Sequence, residues 1–280
     1  MRRMYVTVLV LFALSLLASA CQTAAPTTVK VGLNAELTGS VPVVGESCKN
    51  AAEMAVKEIN DAGGLDVGGT KYQVELQIED NEDKAESAAA AAQKLATAGV
   101  IAMIGPNASR NAIPAAEVAE SSKMPMISPW STNTKTTLDT KTGAPKKYVF
   151  RAAFIDDFQG VVAAKFAMAE LNTQKPAVLY DVGSEYNKGI AEVYKKTVEA
   201  AGIPVVAFET YTTGDKDFSS QLTKLIDAGA DTLFLPNYYA EVPLQVQQAK
   251  KLGFTGKFIG SDSWGSLELV NLCGADCDGS

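Results

Sequence analysis

Apolar and polar residues follow one another along the chain in a pattern that predicts strands and helices in turn. Short apolar runs rich in β-branched residues are each followed by a longer segment whose apolar residues recur every three to four positions. Glycine ends several of the helical segments. The predicted strands are residues 29–33, 72–78, 100–104, 124–127, 148–152, 177–180, 205–211, 232–235 and 257–260. The predicted helices are residues 51–59, 83–98, 112–121, 159–171, 188–201, 219–228 and 242–252.

Regular alternation of this length predicts an α/β fold with parallel sheets and right-handed crossovers. Residues 100–104 are apolar throughout, which is typical of a strand buried on both faces. The polar stretch of residues 132–147 is interpreted as the passage between two α/β domains. We therefore expect domain one over residues 29–153 and domain two over residues 154–280.

The N-terminus has the layout of a secretory signal. Two arginines precede the uncharged residues 5–20, and small residues lead into Cys21. This layout predicts a signal peptide over residues 1–20, and an uncleaved membrane anchor is the alternative. Cys21 resembles the lipidation site of bacterial lipoproteins, with residues 21–28 as a tether. We expect an extracytoplasmic chain that is held at the bacterial cell membrane by lipid only.

Composition excludes several classes of function. The sequence has 32 Asp and Glu against 25 Lys and Arg, so its net charge is −7. This acidity argues against a nucleic-acid binder, which would normally carry a basic surface, so no nucleic-acid partner is expected. The sequence contains no histidine, which excludes Ser-His-Asp and Cys-His catalytic sites and His-ligated zinc. No cofactor and no metal site are predicted.

The remaining cysteines and one acidic segment have structural interpretations. Cys273 and Cys277 could pair in an oxidising compartment, which would leave Cys48 alone. Residues 79–83 are acidic but lack the glycine and the distal glutamate of a calcium loop. We interpret them as a solvated strand end that runs into a helix N-terminus.

Polar side chains follow the carboxyl ends of the predicted strands, where open parallel sheets bind ligands. In the first half of the chain, hydroxyl residues lie there, and Ser109 stands at the start of a helix. Hydroxyl groups at a helix N-terminus suit a carboxylate. In the second half, tyrosines and an acid follow the strands, and these side chains suit an ammonium group.

These features resemble the periplasmic solute-binding proteins of the branched-chain amino acid ABC transport family. The resemblance is carried, in order, by residues 31–39, 51–64 (AAEMAVKEINDAGG), 100–105, 126–133 (MISPWSTN), 156–160, 217–219 and 249–253. It implies a type I periplasmic binding protein fold, in which two doubly wound parallel-sheet domains joined by a hinge close on an amino acid. It also implies delivery of that amino acid to an ABC transporter permease, without catalysis.

The resemblance implies which side chains bind the ligand. The expected ligand-binding residues are Ser109, Trp130, Ser131, Thr132, Tyr186, Tyr238 and Asp262. By resemblance, Ser109 binds the carboxylate, Asp262 binds the ammonium group and Thr132 contacts both. Structural alternatives stay open for five of these residues: a helix cap for Ser109, a turn for Thr132, packing for the two tyrosines and a lysine partner for Asp262.

The chain departs from the family pattern at the pocket for the ligand side chain and in its length. Val44 stands where branched-chain binders often have an aromatic residue, and Trp130 where they have a small one. A tryptophan buries up to about 250 Å², so we expect specificity to shift from Leu, Ile and Val. Family members continue beyond the position of Ser280, and the final part of domain one is expected to be missing.

Two other functions remain open. A ligand-sensing or protein-interaction module of the same fold would not need the zwitterion-binding set of Ser109, Thr132 and Asp262. A carboxylate-based hydrolase would need a matched pair of carboxylates, and only Asp262 is well placed. The preferred hypothesis is a lipid-anchored receptor for an amino acid.

Overall fold

The computed structural model describes residues 27–279, which form two β-sheets flanked by helices. The strands are β1 Thr27–Ala35, β2 Leu65–Val67, β3 Thr70–Asp80, β4 Ala102–Ile104, β5 Met126–Ser128, β6 Val149–Arg151, β7 Pro176–Asp181, β8 Ala207–Tyr211, β9 Thr232–Phe234 and β10 Lys257–Ile259. The α-helices are α1 Pro42–Asp61, α2 Ala85–Thr97, α3 Ser109–Ser122, α4 Asp156–Ala169, α5 Glu185–Ala200, α6 Ser219–Asp227, α7 Val242–Lys251 and α8 Leu267–Cys273.

The strand order is that of two separate, mostly parallel sheets. The first sheet has the order β2-β3-β1-β4-β5-β6, and the second has the order β10-β9-β7-β8. All neighbouring strands are parallel except β2 and β3. We use lobe one for residues 27–151 and lobe two for residues 156–279. The predicted alternation of strands and helices is confirmed, whereas the short, exposed strand β2 and helix α8 were not predicted.

The polar stretch of residues 132–147 does not join the two sheets, so its interpretation as the passage was wrong. Val149 of β6 pairs with Met126 of β5, which keeps β6 in the first sheet. The Arg151 guanidinium binds the carbonyl oxygens of Ser131 and Thr134. The polar stretch therefore folds back onto lobe one, and the chain reaches the second sheet only after β6.

The first sheet is covered unequally on its two faces. Met103, Met126 and Val149 point into an apolar cluster with α2 and α3. On the other face, α1 packs over the β1 side of the sheet, while Ile127 and Phe150 stay about half exposed. The prediction that residues 100–104 form a strand buried on both faces was wrong, because Ile101 is 51% exposed and Ala102 and Ile104 are only partly buried. The second sheet does contain such a strand, because every residue of β7 is buried.

The acidic segment of residues 79–83 is only in part the solvated strand end that we expected, since Asp80 and Glu82 are exposed. Asn81 is fully buried and Asp83 is nearly so. The Asp80 carboxylate accepts hydrogen bonds from the backbone N–H groups of Leu37 and Thr38. Within residues 27–279, no group of three or more His, Cys, Asp or Glu side chains could hold a metal ion. The segment therefore combines exposed acids with buried side chains, and its hydrogen bonds connect it to the loop after β1.

The termini and the cysteines add few constraints. Cys273 and Cys277 form the disulfide that their spacing allowed. Cys48 is half-buried, and burial raises the pKa of its thiol to about 11. The predicted signal peptide, the tether up to residue 26 and the lipidation site Cys21 lie outside the described residues. In residues 27–279, none of the helices has the length and apolar character needed to cross a membrane.

We predict that Leu222→Ala lowers the free energy of unfolding by about 2–5 kcal/mol, because it leaves a cavity in the core of lobe two. Leu222 of α6 is 0% exposed. Leu267→Ala is the matched control, since Leu267 is 84% exposed, and we expect a change within about 0.5 kcal/mol. Urea unfolding followed by circular dichroism measures both. Equal effects of the two substitutions would contradict this assignment of the core.

Candidate ligand-binding site

The predicted site residues lie where the two lobes meet. The Asn133 side chain in lobe one donates a hydrogen bond of 2.8 Å to the Glu185 carbonyl oxygen in lobe two. The Val43 backbone N–H lies 3.4 Å from the Tyr239 hydroxyl. The lobes are therefore in contact on more than one side of the cleft between them.

A tight turn after β4 brings Ser109 to this cleft. Gly105 has φ +82°, and a Cβ atom there would lie 2.2 Å from the Asn34 carbonyl oxygen, so only glycine fits. Ser109 is the first residue of α3, and Ala108 occupies the cap position. The Ser109 hydroxyl instead lies 2.9 Å from the Ser131 hydroxyl. The alternative that Ser109 caps its helix was therefore wrong.

Glu36, which the sequence analysis missed, holds the start of α3 in place. Its buried carboxylate accepts hydrogen bonds from the backbone N–H groups of Asn107 and Ala108 and from the side-chain amides of Asn107 and Asn111, at 2.7–3.1 Å. Burial raises the pKa of Glu36, and these hydrogen bonds counter the rise in part. Its position just after β1, at a carboxyl strand end, was the signal that could have identified it.

The loop after β5 contributes three predicted residues with different surroundings. The Ser131 hydroxyl lies 2.6 Å from the Thr136 hydroxyl as well as close to Ser109, so it supports the loop. The Thr132 hydroxyl is buried and has no hydrogen-bond partner among residues 27–279. The half-buried Trp130 ring lies 6.0 Å from the Tyr238 ring of lobe two. Trp130 therefore borders the cleft, whereas Ser131 and Thr132 are both buried.

Lobe two contributes a pair of stacked tyrosines and an acid. Tyr186, in the first turn of α5, stacks on Tyr238 with ring centroids 5.3 Å apart. The Tyr186 hydroxyl donates a hydrogen bond to the Asp262 carboxylate. Burial, with the adjacent Asp262, raises the pKa of Tyr186, so this hydroxyl stays protonated. Asp262 forms no ion pair with lysine in the described part of the chain, so that alternative was wrong.

Asp156 is a second buried acid at the cleft, and it was not among the predicted site residues. Asp156 is the first residue of α4 and is 3% exposed. Neither of its carboxylate oxygens has a hydrogen-bond partner among residues 27–279. Burial raises its pKa to about 7, and Asp262 adds to the rise. The nearby Thr132 and Asn133 side chains counter the rise, although neither reaches hydrogen-bond geometry with the carboxylate. An acid at a helix N-terminus is ordinary in a sequence, which is why the pattern gave no signal.

The cleft is closed around the tyrosines and open beside them. The residues around the closed space are Asn107, Ala108, Ser109, Trp130, Tyr186 and Tyr238. That space is too narrow for a water molecule. A groove of about 770 Å³ adjoins it, with an apolar wall that includes Val44 and Ala52 of α1. Trp130 and Asn107 border both spaces, and Asp262 lines the groove.

Comparison with known proteins identifies the family to which this architecture belongs. The family model described as "Periplasmic binding protein" matches residues 28–274. The leucine-, isoleucine-, valine-, threonine- and alanine-binding protein of Pseudomonas aeruginosa is 35% identical over 252 residues, which cover 90% of this chain and 65% of that protein. The Leu/Ile/Val-binding protein BraC3 of Rhizobium johnstonii is 32% identical. The chain spans about 65% of the length of these curated relatives.

Solved structures agree with the sequence relatives. The leucine binding protein LivK of Thermotoga maritima has a TM-score of 0.79 at 30% identity, covering 89% of this chain and 67% of that one. LivJ of Streptococcus pneumoniae, solved in complex with isoleucine, has a TM-score of 0.78 at 32% identity, covering 89% and 68%. The expected type I periplasmic binding protein fold is confirmed. The chain belongs to the periplasmic binding protein family, whose location is extracytoplasmic.

Proposed function

We propose that this protein binds a small amino acid between its lobes and delivers it to the permease of an ABC transporter. One observation carries the proposal. A hydroxyl at a helix N-terminus in lobe one faces a tyrosine and acid pair in lobe two, across a cleft lined by aromatic rings. These two ends are chemically complementary to the carboxylate and the ammonium group of one zwitterion.

The carboxylate end of the proposed site is the first turn of α3. Backbone N–H groups in the first turn of a helix have no partner inside that helix, and the helix dipole favours an anion there. Ser109 adds a hydroxyl donor, and Ser131 orients this hydroxyl. Glu36 already occupies the N–H groups of Asn107 and Ala108, which leaves those of the following residues for the ligand.

The ammonium end is formed by Asp262 and Asp156 with Thr132. Asp262 already accepts a hydrogen bond from Tyr186, which fixes its carboxylate. Asp156 and Thr132 have buried oxygen atoms without partners in the described residues. A ligand ammonium group has three N–H donors, enough for all three side chains. Asp156 is our addition to the residues that the sequence suggested.

The groove beside the tyrosines takes the side chain of the ligand. Its wall from α1 is mostly aliphatic, and Val44 and Trp130 border it. Apolar walls favour an apolar side chain, because its burial releases surface from water. The relatives that bind leucine, isoleucine and valine support this class of ligand. The bulk of Trp130 supports a preference different from theirs.

Location and organisation complete the proposal. We propose that residues 1–20 direct export, that Cys21 carries lipid, and that membrane attachment is through this anchor only. We also propose two domains, residues 29–153 and residues 154–280. The last strand of the first sheet ends at Arg151 and the first strand of the second sheet begins at Pro176, which supports this division. Each polar group of the site has a binding role, so we propose binding without turnover.

We expect a subset of amino acids to raise the melting temperature of the protein. At a hundredfold excess over the dissociation constant, ligand binding stabilises the folded state by about 2.7 kcal/mol. Ser109→Ala and Asp262→Asn should each weaken binding at least about tenfold, since each removes a hydrogen bond to a charged group. Differential scanning fluorimetry against the common amino acids, followed by calorimetry, measures both effects.

Controls for this experiment lie on exposed surface. Ser121→Ala at the far end of α3 and Asp278→Asn near the C-terminus repeat the same chemical changes away from the cleft. They should leave the dissociation constant unchanged. A cooperative melt that no amino acid shifts would contradict the proposal, as would recovery of a chemically altered ligand.

We expect Trp130→Ala to change the order in which amino acids bind. Removing the indole joins the groove to the space around the tyrosines, so larger side chains should gain affinity relative to smaller ones. One extra or missing methylene changes affinity by about 10–200-fold in such pockets. Calorimetric affinities for alanine, valine, leucine and phenylalanine provide the ranking. An unchanged ranking would show that Trp130 does not set specificity.

We expect Asp156→Asn to flatten the pH dependence of stability. The folded pKa of about 7 lies above the ordinary value of 3.8, so the folded state holds the proton longer. The free energy of unfolding therefore falls as pH rises from about 4 to about 7, by up to about 1.4 kcal/mol for each step of one in pH. Burial also raises the pKa of Glu241 to about 7, so part of the fall should persist.

The measurement is urea unfolding between pH 4 and pH 8. At pH 8 the Asp156→Asn variant should be more stable than the wild type, and at pH 4 the two should agree. Asp157→Asn is the matched control, since Asp157 is exposed and lies in the same first turn of α4. Parallel pH curves for the wild type and Asp156→Asn would refute a raised pKa at Asp156.

A further inference from the structure

Arg110, the residue after Ser109, is bound by both lobes. In lobe one, its Nε and Nη2 atoms donate to the two oxygens of the Asp83 carboxylate at 3.1 and 2.8 Å. In lobe two, its Nη1 atom donates to the Thr213 hydroxyl at 3.0 Å. Its side chain is only 10% exposed. One guanidinium group therefore joins the two sides of the cleft.

The lobe-one half of this arrangement does not depend on lobe two. Asp83 is held in turn by Asn111, whose side-chain amide lies 2.9 Å from the Asp83 carboxylate. A two-pronged contact between arginine and carboxylate fixes the plane of the guanidinium group. Arg110 should therefore keep its orientation when the lobes separate, with one N–H direction left unpaired.

The lobe-two half places negative charge and an aromatic face around the same guanidinium. Thr213 donates its own proton to Asp181, whose carboxylate lies 3.8 Å from Arg110. The Tyr238 ring lies against the guanidinium at 5.4 Å, within the range of a cation–π contact. Tyr238 is thus packed between Arg110, Tyr186 and Trp130.

We propose that Arg110 is a positioning residue that holds the cleft closed and sets the ring of Tyr238 against the ligand. Asp83 holds the Arg110 guanidinium in lobe one. Arg110 contacts Thr213, Asp181 and Tyr238 only when the lobes meet. Closure is then favoured in part before any ligand binds, and release of the ligand requires this contact to break. The effect on ligand release rests on the proposed function, whereas the effect on closure does not.

The test uses Thr213→Val, which removes the acceptor for Arg110 and leaves the Arg110–Asp83 pair intact. Trp130 reports closure, because its ring lies against Tyr238 of the other lobe and becomes solvent-exposed when the lobes separate. In a Trp264→Phe background, Trp130 is the single tryptophan. Without ligand, we expect Thr213→Val to shift Trp130 emission to longer wavelength and to increase its quenching by acrylamide.

Two further variants test whether the contacts of Arg110, rather than any contact between the lobes, hold the cleft closed. Arg110→Lys keeps the positive charge but loses the forked set of N–H donors of the guanidinium group. It should therefore shift Trp130 emission in the same direction as Thr213→Val. Lys135→Gln removes an ion pair that also joins the lobes, Lys135 with Glu185, but both side chains are substantially exposed. Exposed pairs contribute little, so this control should leave Trp130 emission unchanged.

Once the melting screen has identified an amino acid, stopped-flow kinetics completes the test. Thr213→Val should raise the dissociation rate about tenfold, as expected for loss of a hydrogen bond to a charged group, with little change in the association rate. Trp130 emission and quenching equal to those of the wild type, in a variant that melts cooperatively, would overturn the proposal. If no amino acid binds, the proposed function fails, but the ligand-free emission still decides whether Arg110 holds the cleft closed.

Discussion

The buried carboxylate of Glu36 is the constraint on which lobe one of the site depends. Burying an ionised group is unfavourable unless hydrogen bonds compensate it, and the first turn of α3 and its two asparagines supply those bonds. The compensation works only if the start of α3 lies at one place relative to β1. Because Ser109 and Arg110 are the first two residues of α3, the geometry of both follows from this one interaction.

From Glu36 a chain of polar contacts runs across the cleft. Asn111 contacts both Glu36 and Asp83, Asp83 holds Arg110, and Arg110 reaches Thr213 in lobe two. Buried charge networks of this kind give little net stability, since desolvation offsets the attraction. Their geometry is demanding, however, because each unpaired member is costly. The network therefore specifies how the lobes meet rather than how strongly the protein is folded.

Periodicity predicted the fold well and the site only in part. Strand and helix alternation follows from local apolar spacing, and strand ends pointed to Ser109, Tyr186 and Asp262. Glu36 and Asp156 were missed because a sequence gives no measure of burial for an acid beside a loop or at a helix start. Both are buried by elements distant in the chain. The polar stretch of residues 132–147 misled for a different reason: its polar composition does not show that Arg151, which follows it closely, binds it to lobe one.

Two opposing effects act on the closed cleft, and a ligand changes only one of them. The contacts of Arg110 favour closure with or without ligand. The buried oxygen atoms of Asp156 and Thr132, which have no partners among residues 27–279, disfavour closure of an empty cleft. In the proposed function, the ammonium group of the ligand supplies the donors that these atoms lack, so it removes the unfavourable effect and leaves the favourable one. Since a ligand shifts a conformational equilibrium only by its difference in affinity for the two states, we propose that this pair of residues converts binding into closure.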